Sequence, residues 1–321
     1  MSSTTANTPA GSELSVQQPL TLATTLGTLV RREFWEHPAL WRAPLIIAAL
    51  LVGTFIIGAT TGGRHIGVHV DGWDGDLSPE RQLQAFAVSQ IVPMFPLYLI
   101  MMLVLTFYLL DSLYAERKDR SILFWKSLPV SDGLTVLSKF LVAVVVVPVG
   151  VLVLAAACHV LLFLVWKFGV LTGRLPDVLV WSTLMWLKIE ALLLACLALG
   201  ALWYAPVAAA LLLVSAWARR SPVMWVTLAP IVAMVVEWKF GTHYLATFLY
   251  YRSFGIWEVL GLGHGARLSS VENGVTLKAV LGDLDFTAAF TNLNLWLGVL
   301  ATAALLYAAV RLRRYRDDSA G

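Results

Sequence analysis

The chain has 321 residues, 59% of them hydrophobic and only 13% charged. Soluble domains average about 25% charged residues, and one core in a globule of this size could not hide so much apolar surface, so an ordinary soluble domain is excluded and lipid is the expected solvent. The net charge of +3 is small; no nucleic-acid partner is expected, and the sign of each loop carries more information than the sum.

Residues 1–20 are rich in Ser, Thr and Pro and lack the basic and apolar regions of a signal peptide. They are expected to form a disordered cytoplasmic tail. In the next stretch, from Leu22 to Leu45, Leu22, Leu26, Leu29, Val30, Phe34 and Trp41 recur at roughly helical spacing, and Arg31, Arg32, Glu33 and Glu36 face elsewhere. This pattern predicts an amphipathic helix lying in the membrane interface, held by Leu26, Val30 and Phe34 with Trp35 and Trp41 at headgroup depth. An ordinary cytosolic helix is the alternative.

A bilayer core of about 30 Å needs about 20 apolar residues per crossing. The apolar runs predict spans at about 43–61, 86–112, 138–166, 189–217, 222–238 and 291–311. The fourth is the ambiguous one: 178–217 is long for one span and short for two, and Trp203, Tyr204 and Pro206 could mark a break. Loop charge decides. With six spans and the N-terminus inside, the cytoplasmic side holds Arg31, Arg32, Arg42, Arg117, Lys118, Arg120, Lys126, Lys139, Arg219, Arg220, Arg311, Arg313, Arg314 and Arg316, which are 14 of the 23 Lys and Arg residues. Splitting the fourth region would place the basic C-terminus outside, against the positive-inside rule. Residues 178–188 are therefore assigned to the outer interface, and 312–321 to a second cytoplasmic tail.

Between spans two and three, Tyr114–Lys139 is far longer than a connecting loop needs. It sets Ile122, Leu123, Phe124, Trp125 and Leu128 among charges, then breaks at Pro129–Gly133. Exposed apolar groups among charges predict a helix that docks a soluble partner; the alternative is a segment resting in the inner headgroup layer.

The remaining features point to packing and turns. Cys158 and Cys196 lie deep in apolar runs and read as small buried hydrophobes. His159 is expected to be a helix-packing hydrogen bonder. Lys188, Glu190, Glu237 and Lys239 lie near span ends and are expected to snorkel. The Asp71–Asp76 run lacks the twelfth-position Glu of a calcium loop and reads as an exposed turn. Beyond span five, 239–290 forms an outside insert. Its aromatic first part, from His243 to Leu260, is expected to be helical at the outer leaflet, and Asn273-Gly274 signals a hairpin. No phosphate-cradling GxxxxGK[ST], HExxH or GxSxG motif occurs, so no catalytic, cofactor or metal site is assigned.

The segment after span two resembles that of type-two ABC transporter permeases. Glu116 and Arg117 match the family's acidic-basic pair, Leu128, Pro129, Val130 and Ser131 its Leu-Pro-Val-Ser ending, and Lys139 the Lys that opens span three. Asp119 and Arg120 depart from the pattern, standing where many relatives carry a small residue. The N-terminal elbow helix, the six spans and the insert before span six extend the resemblance over the chain. It implies an all-α, polytopic fold in a cell inner membrane with both termini cytoplasmic. It implies a coupling helix in which Glu116, Arg117, Ile122, Leu123, Phe124, Trp125, Leu128 and Pro129 engage an ABC ATP-binding subunit. That subunit would carry ATP and Mg, and a second permease copy or paralogue would complete the pathway within membrane lipid. A regulatory or sensory membrane protein with the same docking segment is the competing function.

Overall fold

The computed structural model describes residues 21–61, 86–121, 125, 130–175, 180–260 and 286–315. Nine helices run through them. Thr21 caps α1 (Leu22–Glu36), its hydroxyl accepting from Thr24 N–H. After the turn at His37 and Pro38 comes α2 (Ala39–Thr60). The third, α3 (Phe86–Lys118), tightens to a single 3-10 turn at Val92–Met94 around Pro93. Ser131 of the Leu-Pro-Val-Ser stretch caps α4 (Asp132–Leu171), accepting from Leu134 N–H at 3.2 Å, with Asp132 placed favourably in the first turn. Pro148 has no N–H to give Val144, and α4 widens to a π turn at Val142–Val146, where Val147 N–H bonds Val142 O.

Ser182 caps α5 (Thr183–Trp217) through Met185 N–H. This helix is 35 residues long and runs unbroken through Pro206, so the fourth apolar region is one span and 183–188 belong to its first turns. Next, α6 (Pro222–Phe240) starts on a proline and stops at Gly241, whose φ of 67° is left-handed. A short connection leads to α7 (Tyr244–Val259), the helix expected in the aromatic part of the insert. The last two are α8 (Phe286–Thr291) and α9 (Leu293–Tyr315). The hairpin at Asn273-Gly274, the Asp71–Asp76 turn, residues 1–20 and the end of the C-terminal tail lie outside the described residues.

Six of these helices, α2 to α6 and α9, are long and apolar enough to cross a membrane. They form a bundle in which α5 packs against α9, α3 and α6 while α2 packs on α3 and α4. The core between them is apolar: Leu97, Met101, Leu105, Leu113, Val136, Val151 and Leu212 interlock with Ala48, Ala155, Ala208, Ala216 and Ala309. Small residues at the crossings let the backbones approach, which is how helices gain packing where lipid supplies no hydrophobic drive. The outer surface is also apolar: Ile46 is 59% exposed and Leu300 67%. A helix bundle apolar both inside and outside fits lipid and not water. The protein is a multi-pass membrane protein.

Candidate functional site

Where the ends of α1, α3 and α9 meet the start of α4, the apolar core gives way to a buried set of charges. Glu33 of α1 and Lys139 of α4 are both 0% exposed, Glu116 of α3 is 5% and Arg313 of α9 is 4%. Each reaches this point by ordinary periodicity. Glu33 sits four residues after Leu29, the buried position of α1. Lys139 follows the buried Thr135, Val136 and Ser138 on the inner face of α4. Glu116 lies one turn beyond Leu113 on α3, and Arg313 one turn beyond Ala309 on α9.

Lys139 Nζ stands at the centre. It donates to both Glu33 oxygens at 2.9 Å and lies 3.1 Å from Glu116 Oε1. The Tyr108 hydroxyl donates to Glu33 Oε2 at 2.9 Å. Arg32 Nη2 bridges the two acids, 2.8 Å from Glu116 Oε1 and 3.1 Å from Glu33 Oε1. On the other side Arg313 is shared: its Nη1 donates to Glu116 Oε2 and its Nε to Asp132 Oδ1 at 3.0 Å. Two buried acids thus face two buried bases, with Arg32, Glu36 and Asp132 around the rim. Charges taken out of water are tolerated only when paired and hydrogen-bonded, and this network meets that condition.

Beside it, burial pushes the Glu36 carboxyl above its usual value. Burial, then the charge of Lys139, holds the His37 imidazole below its usual value, so at neutral pH it is uncharged. It meets Tyr108 edge-on at 5.0 Å. Glu33, Glu36 and His37 bring three possible metal-ligand atoms within 4.8 Å of one another. Both Glu33 oxygens are already held by Lys139, and the geometry is that of an ion-pair network.

The expected site residues fall around this node. Glu116 is one of its two buried acids. Its neighbour Arg117 turns the other way and does not pair with it: Nη2 donates to Ser215 O and Ala218 O, both at 2.7 Å, at the C-terminal end of α5. In the same contact Ser215 Oγ accepts from Leu113 and Tyr114 N–H. Trp125 N–H bonds Ser121 O, a helical turn past α3, and its ring lies 4.0 Å from the Arg32 guanidinium. Ile122, Leu123, Phe124, Leu128 and Pro129 lie outside the described residues. On α1, Val30 and Phe34 pack against the core, Leu26 is half-buried and Trp35 is 74% exposed, while Trp41, expected on the same helix, lies past the turn on α2 and is 43% exposed.

Four members of the node escaped the sequence reading: Tyr108, Asp132, Lys139 as a charge partner, and Arg313. Glu33 and Arg32 correct it, since they turn inward where they were expected to face away from the apolar stripe. A signal for Glu33 was present, because Leu26, Leu29, Val30 and Glu33 recur at helical spacing on one face of α1. The end-of-span carboxylates also differ from expectation. Glu190 bonds His159 Nδ1 at 2.7 Å, confirming His159 as a helix-packing hydrogen bonder. Glu237 caps α7, accepting from Leu245 N–H at 2.7 Å.

A cavity of about 670 Å³ opens next to the node. Its walls are Leu103, Phe107 and Leu110 of α3, with Pro222 and Val223 of α6; its rim carries Glu36, His37, Asp111 and Lys118.

Residues 84–204 match the family model described as ABC-2 family transporter protein. The matched stretch covers α3, α4 and the first part of α5, and so includes Tyr108, Glu116, Asp132 and Lys139. No curated protein and no solved structure matches the chain.

Proposed function

We propose that this chain, whose residues 84–204 match the ABC-2 family transporter model, is a permease subunit of an ABC transporter and works as an exporter driven by a separate ATPase. The end that carries the charge node faces the cytoplasm, by the distribution of Lys and Arg. There the segment from Glu116 to Pro129 docks the ATP-binding subunit, which holds ATP and Mg.

The observation that carries this reading is the position of Glu116. It is the first residue of the docking segment and the point where Arg32, Lys139 and Arg313 converge. A displacement of the segment is therefore applied at once to α1, α4 and α9. Buried, directional ion pairs resist gradual stretching, so they favour a switch between discrete arrangements over elastic bending. The π turn at Val142–Val146, one turn deeper in α4 than Lys139, offers a place for that helix to change its winding.

Two further features fit. In α6 only Pro222 is buried, whereas every other span buries several residues. That free apolar face is where a second permease copy would pack. The cavity between α3 and α6 joins an apolar wall to a charged rim, which suits an amphiphilic cargo better than a small ion.

Copurification tests the reading. The chain, expressed with a candidate ATP-binding subunit, should retain it through purification, and Trp125→Ala should weaken that retention or uncouple ATP hydrolysis from transport. Failure to retain any ATP-binding subunit would favour the regulatory or sensory alternative.

A further inference from the structure

A second buried charge lies deep in the bundle, away from the node. Arg252 of α7 is 8% exposed. Its Nε and Nη2 are fully buried and have no hydrogen-bond partner, and among the described residues no carboxylate pairs with it. Trp203 of α5 is 14 residues before the charged end of its helix and Gly298 of α9 is 17 before Tyr315. At 1.5 Å per residue Arg252 therefore lies about 20–25 Å from that end, in the far half of a bilayer core of about 30 Å.

The surroundings hold the guanidinium in place without neutralising it. Trp203 Nε1 donates to Arg252 O at 3.0 Å and Tyr204 OH to Ser253 O at 2.8 Å, which fastens α7 to α5. Asn294 Nδ2 donates to Tyr251 OH at 3.1 Å, which fastens it to α9. The Arg252 guanidinium stands 5.1 Å over the Trp203 ring. Gly298 of α9 also lies against the guanidinium, and a Cβ there would come within 2.4 Å of Nη2. A tryptophan face and a bare glycine thus form a slot for a flat cation. The indole offsets only part of the cost of burying a lone charge. Contrast the node, where both buried bases meet carboxylates. Exposed Phe248, Phe254 and Leu300 belong to the same two helices, α7 and α9.

We propose that Arg252 anchors an oxyanion site, taking the phosphate or carboxylate headgroup of an amphiphile that enters from the surrounding leaflet. The planar fork of guanidinium N–H groups matches such an oxyanion in two-point geometry. Unpaired charge at membrane depth marks a pathway residue more often than a packing one. The site requires neither the ATPase nor a second copy, so its failure would leave the coupling reading intact.

The test is native mass spectrometry of the purified, delipidated full-length chain titrated with phosphatidylglycerol, with a diacylglycerol of the same acyl chains, and with inorganic phosphate as competitor. Wild type should retain phosphatidylglycerol and not diacylglycerol, and Arg252→Gln should lower that retention at least tenfold. Gly298→Ala keeps the charge but crowds the guanidinium, and should also weaken retention; Arg252→Lys should fall between. Displacement by inorganic phosphate would show that the oxyanion alone suffices, and resistance to it that the acyl chains are needed; either supports the site. Equal retention of both lipids by wild type would overturn the proposal. So would wild-type retention by Arg252→Gln or, should that variant not fold, by both Gly298→Ala and Arg252→Lys.

Discussion

Lys139 is the residue on which the node depends most, because of the two buried bases, Lys139 and Arg313, it is the one that touches both buried carboxylates. Lys139→Met leaves Glu33 and Glu116 facing each other with less neutralising charge. Removing one member of a buried ion pair costs about 3–5 kcal/mol, which should appear as a large drop in the thermal midpoint of the purified chain. Glu33→Gln alone should also destabilise. The double variant, Glu33→Gln with Lys139→Met, should lose clearly less than the two single losses added, since each change relieves the charge that the other strands. Additive losses would mean that the two groups are independent, contrary to the 2.9 Å contacts between them. Arg313→Lys is not conservative either: one ammonium cannot reproduce a guanidinium that serves Asp132 through Nε and Glu116 through Nη1.

At the scale of elements, α1 is fastened in two places. Glu33 enters the core, and Arg32 pairs with Glu116 and stacks on Trp125 of the proposed docking segment. Trp125→Ala removes that stack, worth about 0.5–2 kcal/mol, while the Glu33–Lys139 pair remains. Helix α1 should therefore stay in place while the docking segment loosens, read as faster proteolysis near residues 120–130 with no change near residue 30. Equal protection of that segment in variant and wild type would contradict the link. Elements were the most legible part of this chain. Long apolar runs fixed six spans because a bilayer requires them, whereas Ser131 and Asp132, read as part of a break, cap and open α4. The ends were less legible: α4 begins six residues ahead of its apolar run, since a helix continues past the hydrocarbon wherever caps and protein contacts satisfy its backbone. Trp203 and Tyr204, read as a possible break, are instead where α7 is fastened to α5. The node was the least legible part. Glu116 and Arg117 were singled out, yet two partners of Glu116, Arg32 and Arg313, lie 84 and 197 residues away in the chain, and Glu33 and Lys139 are separated by 106. A single sequence shows that Lys139 sits in an apolar helix; it does not show which distant acid makes that tolerable.

For the whole molecule the account makes two claims that can be checked in intact cells. The first is orientation. A cysteine replacing the exposed Arg174, at the far end of α4, should react with an impermeant thiol reagent added outside, and one replacing Arg220, between α5 and α6, should not. The reverse pattern would invert the bundle and place the docking segment on the wrong side for an ATPase. The second is assembly. Ile231 and Val235 of α6 are 56% and 58% exposed and Leu164 of α4 is 57%. If α6 forms the permease–permease contact, Ile231→Cys or Val235→Cys should cross-link two copies in the membrane, and Leu164→Cys should not.

The central claim is that Glu116 passes movement of the docked segment into the bundle. It is tested most directly by spin labels at Arg174 and Tyr244, exposed positions at the far end of α4 and the start of α7, in the reconstituted complex with its ATPase. With wild-type Glu116, trapping the ATPase with ATP and vanadate should shift the distance distribution between the labels. With Glu116→Gln, which keeps the side-chain shape but removes the charge, the ATPase should remain bound and hydrolyse ATP while the distribution stays as in the nucleotide-free state. An ATP-driven shift of full size in Glu116→Gln would contradict the account.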